Sequence, residues 1–216
     1  FEPLADLPFG RRAVLEPAPA VIDPDEGKTT QNLNAKKEKG KNRKTPSKFL
    51  SLPAIDSSIS FPLCTVNRGT FGTGQIQAAP VLVGYADTAY LANGNYGVTY
   101  RINFPLHNPH SETVNAKIVF RSPVKSDERK QELTYYKDAP PRAFFRGTVK
   151  VTVDGKTNFW HLVQKQGSEG SNLAEIEMPA GSRKKVDVEF IYPADATPPH
   201  VLSVVTVRKP VEVEGK

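Results

Sequence analysis

Cysteine is almost absent. The 216 residues contain one, Cys64, which excludes an internal disulfide and a cysteine-built zinc site. It sits in "FPLCTV" with no histidine near it in sequence, so it reads as a small hydrophobe rather than a nucleophile. No apolar run reaches the ~18 residues of a membrane-spanning helix, and no secretory signal pattern is present. The sequence opens at Phe1 rather than Met, which suggests a fragment or a processed form, so the missing signal leaves location open. Long amphipathic helices are missing too, with residues 126–133 offering a turn or two at most. The catalytic patterns G-x-S-x-G and H-E-x-x-H do not occur.

Proline and glycine are plentiful, at 19 and 15 residues, so turns should be many and helices few. Hydrophobic residues make up 38% of the chain, lean enough that part of it should lie outside any core. That part is the first sixty residues, which are polar, Pro-punctuated and short of aromatics. They carry too little apolar surface to offset chain ordering, so residues 1–60 are expected to form an extended arm and residues 61–216 the folded domain. Within the arm Lys36, Lys37, Lys39, Lys41, Arg43, Lys44 and Lys48 are opposed only by Glu38. Such a run attracts polyanions or an acidic partner through counterion release. It has no interleaved aromatics, so the stacking platform of a single-strand binder is missing and nucleic acid is disfavoured. Apolar clips at Leu4, Phe9, Phe49 and Leu52 flank the run and are suited to docking on the domain or on a partner.

Beyond residue 61 the pattern alternates. Tyr96, Val98, Tyr100, Ile102, Phe104 and Leu106 share one face of "NYGVTYRINFPL". Val114, Ala116, Ile118 and Phe120 repeat the rhythm, as do Val149, Val151 and Val153, then Val186, Val188, Phe190 and Tyr192. A period of two marks half-buried antiparallel strands. Asp154-Gly155 is a tight-hairpin signal, because a type I′ turn needs positive φ at both central residues. Roughly eight such strands predict a mainly-β, antiparallel two-sheet sandwich, immunoglobulin-like or jelly-roll-like, with an extended N-terminal arm.

The apparent motifs weaken on inspection. "GTFGTG" at 69–74 has the wrong spacing for G-x-G-x-x-G and is followed by β-like "QIQAAPVLV" rather than a helix. "EGKT" at 26–29 has Ile22 where a P-loop needs glycine. His107 and His110 bracket a turn without a third metal ligand in view, and His161 lies in a strand as a packing residue. Glu175 with Glu177, and Asp187 with Glu189, pair on strand faces whose neighbours Ile176 and Val188 point inward, so the acids should face water. No catalytic residue, metal site or cofactor is therefore expected.

The blocks "RGTFGTGQIQAAPVLVGYADTAYLANGNYGVTYRINFPLHN", "FFRGTVKVTV…FWHLVQKQG" and "MPAGSRKKVDVEFIYPADATPPHVLSVVTV" resemble the C-terminal part of a cyanobacterial exported-protein family, domain of unknown function 3370. The likeness runs from about Asn67 to Val207, while the first sixty residues match poorly and a larger N-terminal β-rich region of the family has no counterpart. It implies export to the periplasm or outer cell envelope, and it carries no activity and no catalytic residues. A looser likeness to bacterial immunoglobulin-like modules concerns fold alone. The expected function is that of a non-enzymatic envelope protein, binding a protein or glycan partner and helping organise an assembly. An enzyme acting on envelope polysaccharide and an arm-mediated polyanion binder are the alternatives.

Overall fold

The computed structural model describes residues 14–15, 49–66, 69–83, 86–87, 90–128 and 133–209. Every regular element among them is a strand: β1 (Val14–Leu15), β2 (Leu50–Ser51), β3 (Ser57–Leu63), β4 (Ala78–Val83), β5 (Leu91–Asn93), β6 (Thr99–His107), β7 (Val114–Ser122), β8 (Ala143–Val153), β9 (Lys156–Lys165), β10 (Ser168–Met178), β11 (Arg183–Ile191) and β12 (His200–Arg208). One sheet has the order β2-β6-β11-β8-β9 and the other β10-β7-β12-β3, while β1, β4 and β5 make a small third sheet. All pairings are antiparallel except the short β2–β6 contact. The two large sheets pack face to face around one apolar core, and the protein is a mainly-β two-sheet sandwich.

The alternating faces build that core. Phe104, Leu106, Val149, Val151, Val186, Val188 and Phe190 are buried from one sheet, and Val114, Ala116, Ile118 and Phe120 from the other. Burying each such side chain contributes ~1.5–3 kcal/mol. At the centre the Phe120 and Phe145 rings lie 4.5 Å apart and Tyr100 stacks on Phe190 at 5.1 Å. The β8–β9 hairpin turns through Asp154 (φ 46°) and Gly155 (φ 83°), the two positive values that the type I′ signal requires.

Two features were not expected from the sequence. Gly170 sits at a register shift in β10, where an added Cβ would fall 1.8 Å from the carbonyl oxygen of Phe120, so only glycine fits. The expected division at residue 61 falls inside a strand: β3 begins at Ser57, Leu50 pairs with Leu106, and the Leu52 amide donates to the His107 carbonyl at 2.8 Å. The polar composition of "AIDSSIS" hid a strand that is exposed or half-buried from Ser57 to Ser60 and buried from Phe61 to Leu63. The segment 126–128 is not helical, and residues 129–132 lie outside the described residues.

A candidate binding groove on the four-stranded sheet

The register of the four-stranded sheet sorts its two faces. Phe61, Leu202 and Phe120 stand in one row and point into the core. The next row, Pro62, Val201 and Arg121, therefore points outward, as do Ser60 and Ser203, whose hydroxyls are 2.7 Å apart. This outer face is not bare, for Val201 and Ser203 are fully buried. Two loops cover it.

The first cover is the glycine stretch. Gly69, Gly72 and Gly74 all have positive φ, and so does Phe71 at 54°, which coils the chain over the sheet. The amides of Gly69 and Thr70 donate to the Asp127 carboxylate, so the groups a phosphate would need are already taken by the protein's own acid. The second cover is the segment after β7. The Val124 amide donates to the Thr134 carbonyl at 2.8 Å and the Tyr136 amide to the Gly167 carbonyl at 2.9 Å, which fixes Tyr135 between them. The Phe71 amide donates to the Ser126 carbonyl at 2.9 Å and ties the covers together.

A groove of about 640 Å³ remains between covers and sheet. Ser58 and Ser60 of β3 floor one side, Phe71 and Tyr135 form its walls, and Arg121 and Glu169 bring charge into it. Nε of Arg121 and the hydroxyl of Tyr135 are both buried; the Arg121 side chain lies within hydrogen-bonding reach of the phenol, but neither atom has an aligned partner among the described residues. Burial raises the Tyr135 phenol above its ordinary value, the charge of Arg121 and its hydrogen-bonding contact with the phenol oppose the rise, and Glu169 adds to it. Unsatisfied buried donors cost ~1–3 kcal/mol each, so such a groove favours a ligand that offers acceptors. Arg121 suits a carboxylate, and the serines suit hydroxyl groups.

A buried polar hub anchors the first cover. The Tyr100 hydroxyl donates to Gln77 Oε1 at 2.6 Å and accepts from the Cys64 amide at 2.8 Å and Asn95 Nδ2 at 3.1 Å. Gln77 Nε2 in turn donates to the Pro62 carbonyl at 2.9 Å, joining the loop to β3. Burial pushes the Cys64 thiol up to about 11, as expected of an inert packed cysteine.

The residues singled out by sequence fall elsewhere. Glu175 pairs with Lys117, Glu177 with Lys209, Asp187 with Lys185 and Glu189 with Arg101, all on solvent-facing sheet surfaces. His110 contacts the Pro53 carbonyl through Nε2 at 2.9 Å, and His161 meets the Thr148 hydroxyl at 2.8 Å. Among the described residues no three His, Cys, Asp or Glu side chains group to hold a metal ion, and no helix is long and apolar enough to cross a membrane. Lys36, Lys37, Lys39, Lys41, Arg43, Lys44, Lys48, Leu4 and Phe9 lie outside the described residues. Leu52 docks on its own sandwich, where it is 4% exposed, and the Phe49 ring carries the Arg183 guanidinium 4.4 Å from its centroid. Of the two dockings open to the clips, on the domain or on a partner, these two make contact with the domain. Sequence reasoning missed Arg121, Tyr135 and Glu169. The alternate serines of "DSSIS" were the one local signal of a polar face on β3.

The family model of a protein of unknown function, DUF3370, matches residues 37–206, and the chain belongs to that family. The match begins well before Asn67 and takes in part of the basic run, so the family likeness is wider than the residues quoted for it suggested. No curated protein matches the sequence.

Proposed function

We propose that this chain is a non-enzymatic binding protein of the cell envelope that holds a carboxylate-bearing, hydroxyl-rich glycan in the groove above the four-stranded sheet. The observation that carries the reading is the buried Arg121–Tyr135 pair, whose Nε and Oη have no aligned hydrogen bond among the described residues, beside a row of serines. An acidic sugar supplies what each lacks: a carboxylate for the guanidinium, a ring oxygen or hydroxyl for the phenol, and further hydroxyls for Ser58 and Ser60. Placement in the envelope of a cyanobacterial cell is what the family resemblance implies, and a role in organising an assembly there is proposed with it. Calorimetric titration of the full chain with uronic-acid oligosaccharides, against neutral oligosaccharides of the same length, tests the reading.

One observation favours the enzymatic alternative. Asp56 and Glu169 line the same groove, and glycoside hydrolysis uses two carboxylates. Product analysis in the same titration, repeated with Asp56→Asn and Glu169→Gln, separates binding from cleavage.

A further inference from the structure

Strand β9 ends the five-stranded sheet, so one of its edges has no strand partner among the described residues. Its sequence, "KTNFWHLVQK", contains no proline, glycine or acid, and its pairing with β8 is regular from Phe145 onward. Lys156 through His161 are all exposed. Phe159 is 63% exposed, Val163 67% and Trp160 39%. Among the described residues the edge is closed near its C-terminal end, where Gln164 Nε2 donates to the Ser171 hydroxyl at 2.7 Å as the chain turns into β10.

Natural edge strands are usually short, bulged, broken by proline or covered. This one is ten residues long, exposes apolar side chains at its centre and carries charge only at Lys156 and Lys165, features of a strand that accepts another strand. Charge identifies the occupant. Strands β8 and β9 carry Arg146, Lys150, Lys156 and Lys165 and no acid. The one acid of the hairpin, Asp154, is held by Lys184. A second copy is a poor match, because antiparallel pairing of β9 with itself end to end sets Lys156 against Lys165 at both ends, and like charges opposite each other destabilise a sheet.

We propose that the free edge of β9 binds an extended acidic segment of another protein as an added strand. Backbone hydrogen bonds continue the sheet, apolar side chains at the centre of the segment cover Phe159 and Val163, and carboxylates towards its two ends meet Lys156 and Lys165. Nothing in this proposal uses the groove, so the two readings stand or fall separately.

Trp160 is the only tryptophan in the chain and reports from within the strand. The full chain is titrated with an eight-residue peptide of four Val flanked at each end by two Glu, with the same peptide carrying Lys in place of Glu, and with oligoglutamate. Amide hydrogen exchange is read in parallel to localise binding. The Glu-Val peptide should change Trp160 emission and slow exchange in residues 156–163. Phe159→Lys and Val163→Lys, both exposed and so tolerated by the fold, should each weaken it at least ~10-fold, while the Lys-Val peptide should not bind. Four outcomes overturn the proposal: no binding of the Glu-Val peptide at millimolar concentration, equal protection by oligoglutamate, binding unchanged in the two variants, or a dimer in sedimentation whose contact protects β9.

Discussion

The hydroxyl of Tyr192 and Nδ1 of His200 lie 2.6 Å apart in the centre of the sandwich, and both residues are fully buried. The rings of Phe120 and Phe145 stand 5.5 and 5.4 Å from the imidazole, and Nε2 has no partner. Burial in this aromatic setting lowers the His200 pKa to about 3, so the imidazole is neutral in the folded protein. The unfolded chain takes up a proton near the ordinary value of 6.5, and the folded chain does not until far lower pH. Between those two values the unfolded state binds more protons, so stability falls as the solution is acidified through that window.

Urea unfolding at pH 7 and pH 5 should therefore show an acid loss about 1–2 kcal/mol larger in the native sequence than in His200→Gln. The same pH slope in both would mean that His200 is accessible to protons in the folded state.

The core should respond to truncation by face. Phe104 and Phe190 are 4% and 3% exposed, and replacing either by alanine should cost ~3–5 kcal/mol in urea unfolding. Arg101 and Glu189 form an ion pair of 3.1 Å on the outer surface, and alanine at either should cost less than ~1 kcal/mol. Similar losses in all four variants would contradict the register of β6 and β11.

Removing the hub hydroxyl should loosen the cover of the groove. Tyr100→Phe leaves Gln77, Asn95 and the Cys64 amide short of a partner, at a cost of ~1–3 kcal/mol. Cys64 is the single thiol and is fully buried, so it should resist alkylation in the native protein and react measurably faster in the variant. Unchanged alkylation would show that the loop is held by other contacts.

Nucleotides should have no effect. With the Gly69 and Thr70 amides committed to Asp127, millimolar ATP, GTP or NAD should leave the melting temperature unchanged. A site filled at a hundred times its dissociation constant would add ~2.7 kcal/mol, which a melt resolves as an upward shift.

The sheets were legible in sequence where alternation was strict and both ends carried turn signals. β6, β7, β8 and β11 follow the period-two pattern closely, and Asp154-Gly155 marks its hairpin. β3 was half lost because Ser58 and Ser60 read as loop when their partners on β12, Val205 and Ser203, are not in view. The interior place of Leu173 was hidden by the register shift beside it, which breaks the alternation with Ile176. The groove was not legible at all. Arg121 ends a strand, Tyr135 lies in a loop and Glu169 sits beside the Gly170 shift, so nothing in their spacing joins them before the sheets are paired. The acids that sequence did highlight sit in regular strands, where regularity sends them to water.

The groove's role turns on Arg121. The direct measurement is the dissociation constant of a uronic-acid oligosaccharide for the native chain and for Arg121→Gln, with circular dichroism to verify that both fold. A charge-assisted hydrogen bond contributes ~1.5–3 kcal/mol, so the variant should bind at least ~10-fold more weakly, and the neutral oligosaccharide should bind neither protein. Undiminished binding by Arg121→Gln, together with its loss when the lysines between residues 36 and 48 are neutralised, would place the interaction on the basic run and contradict the groove.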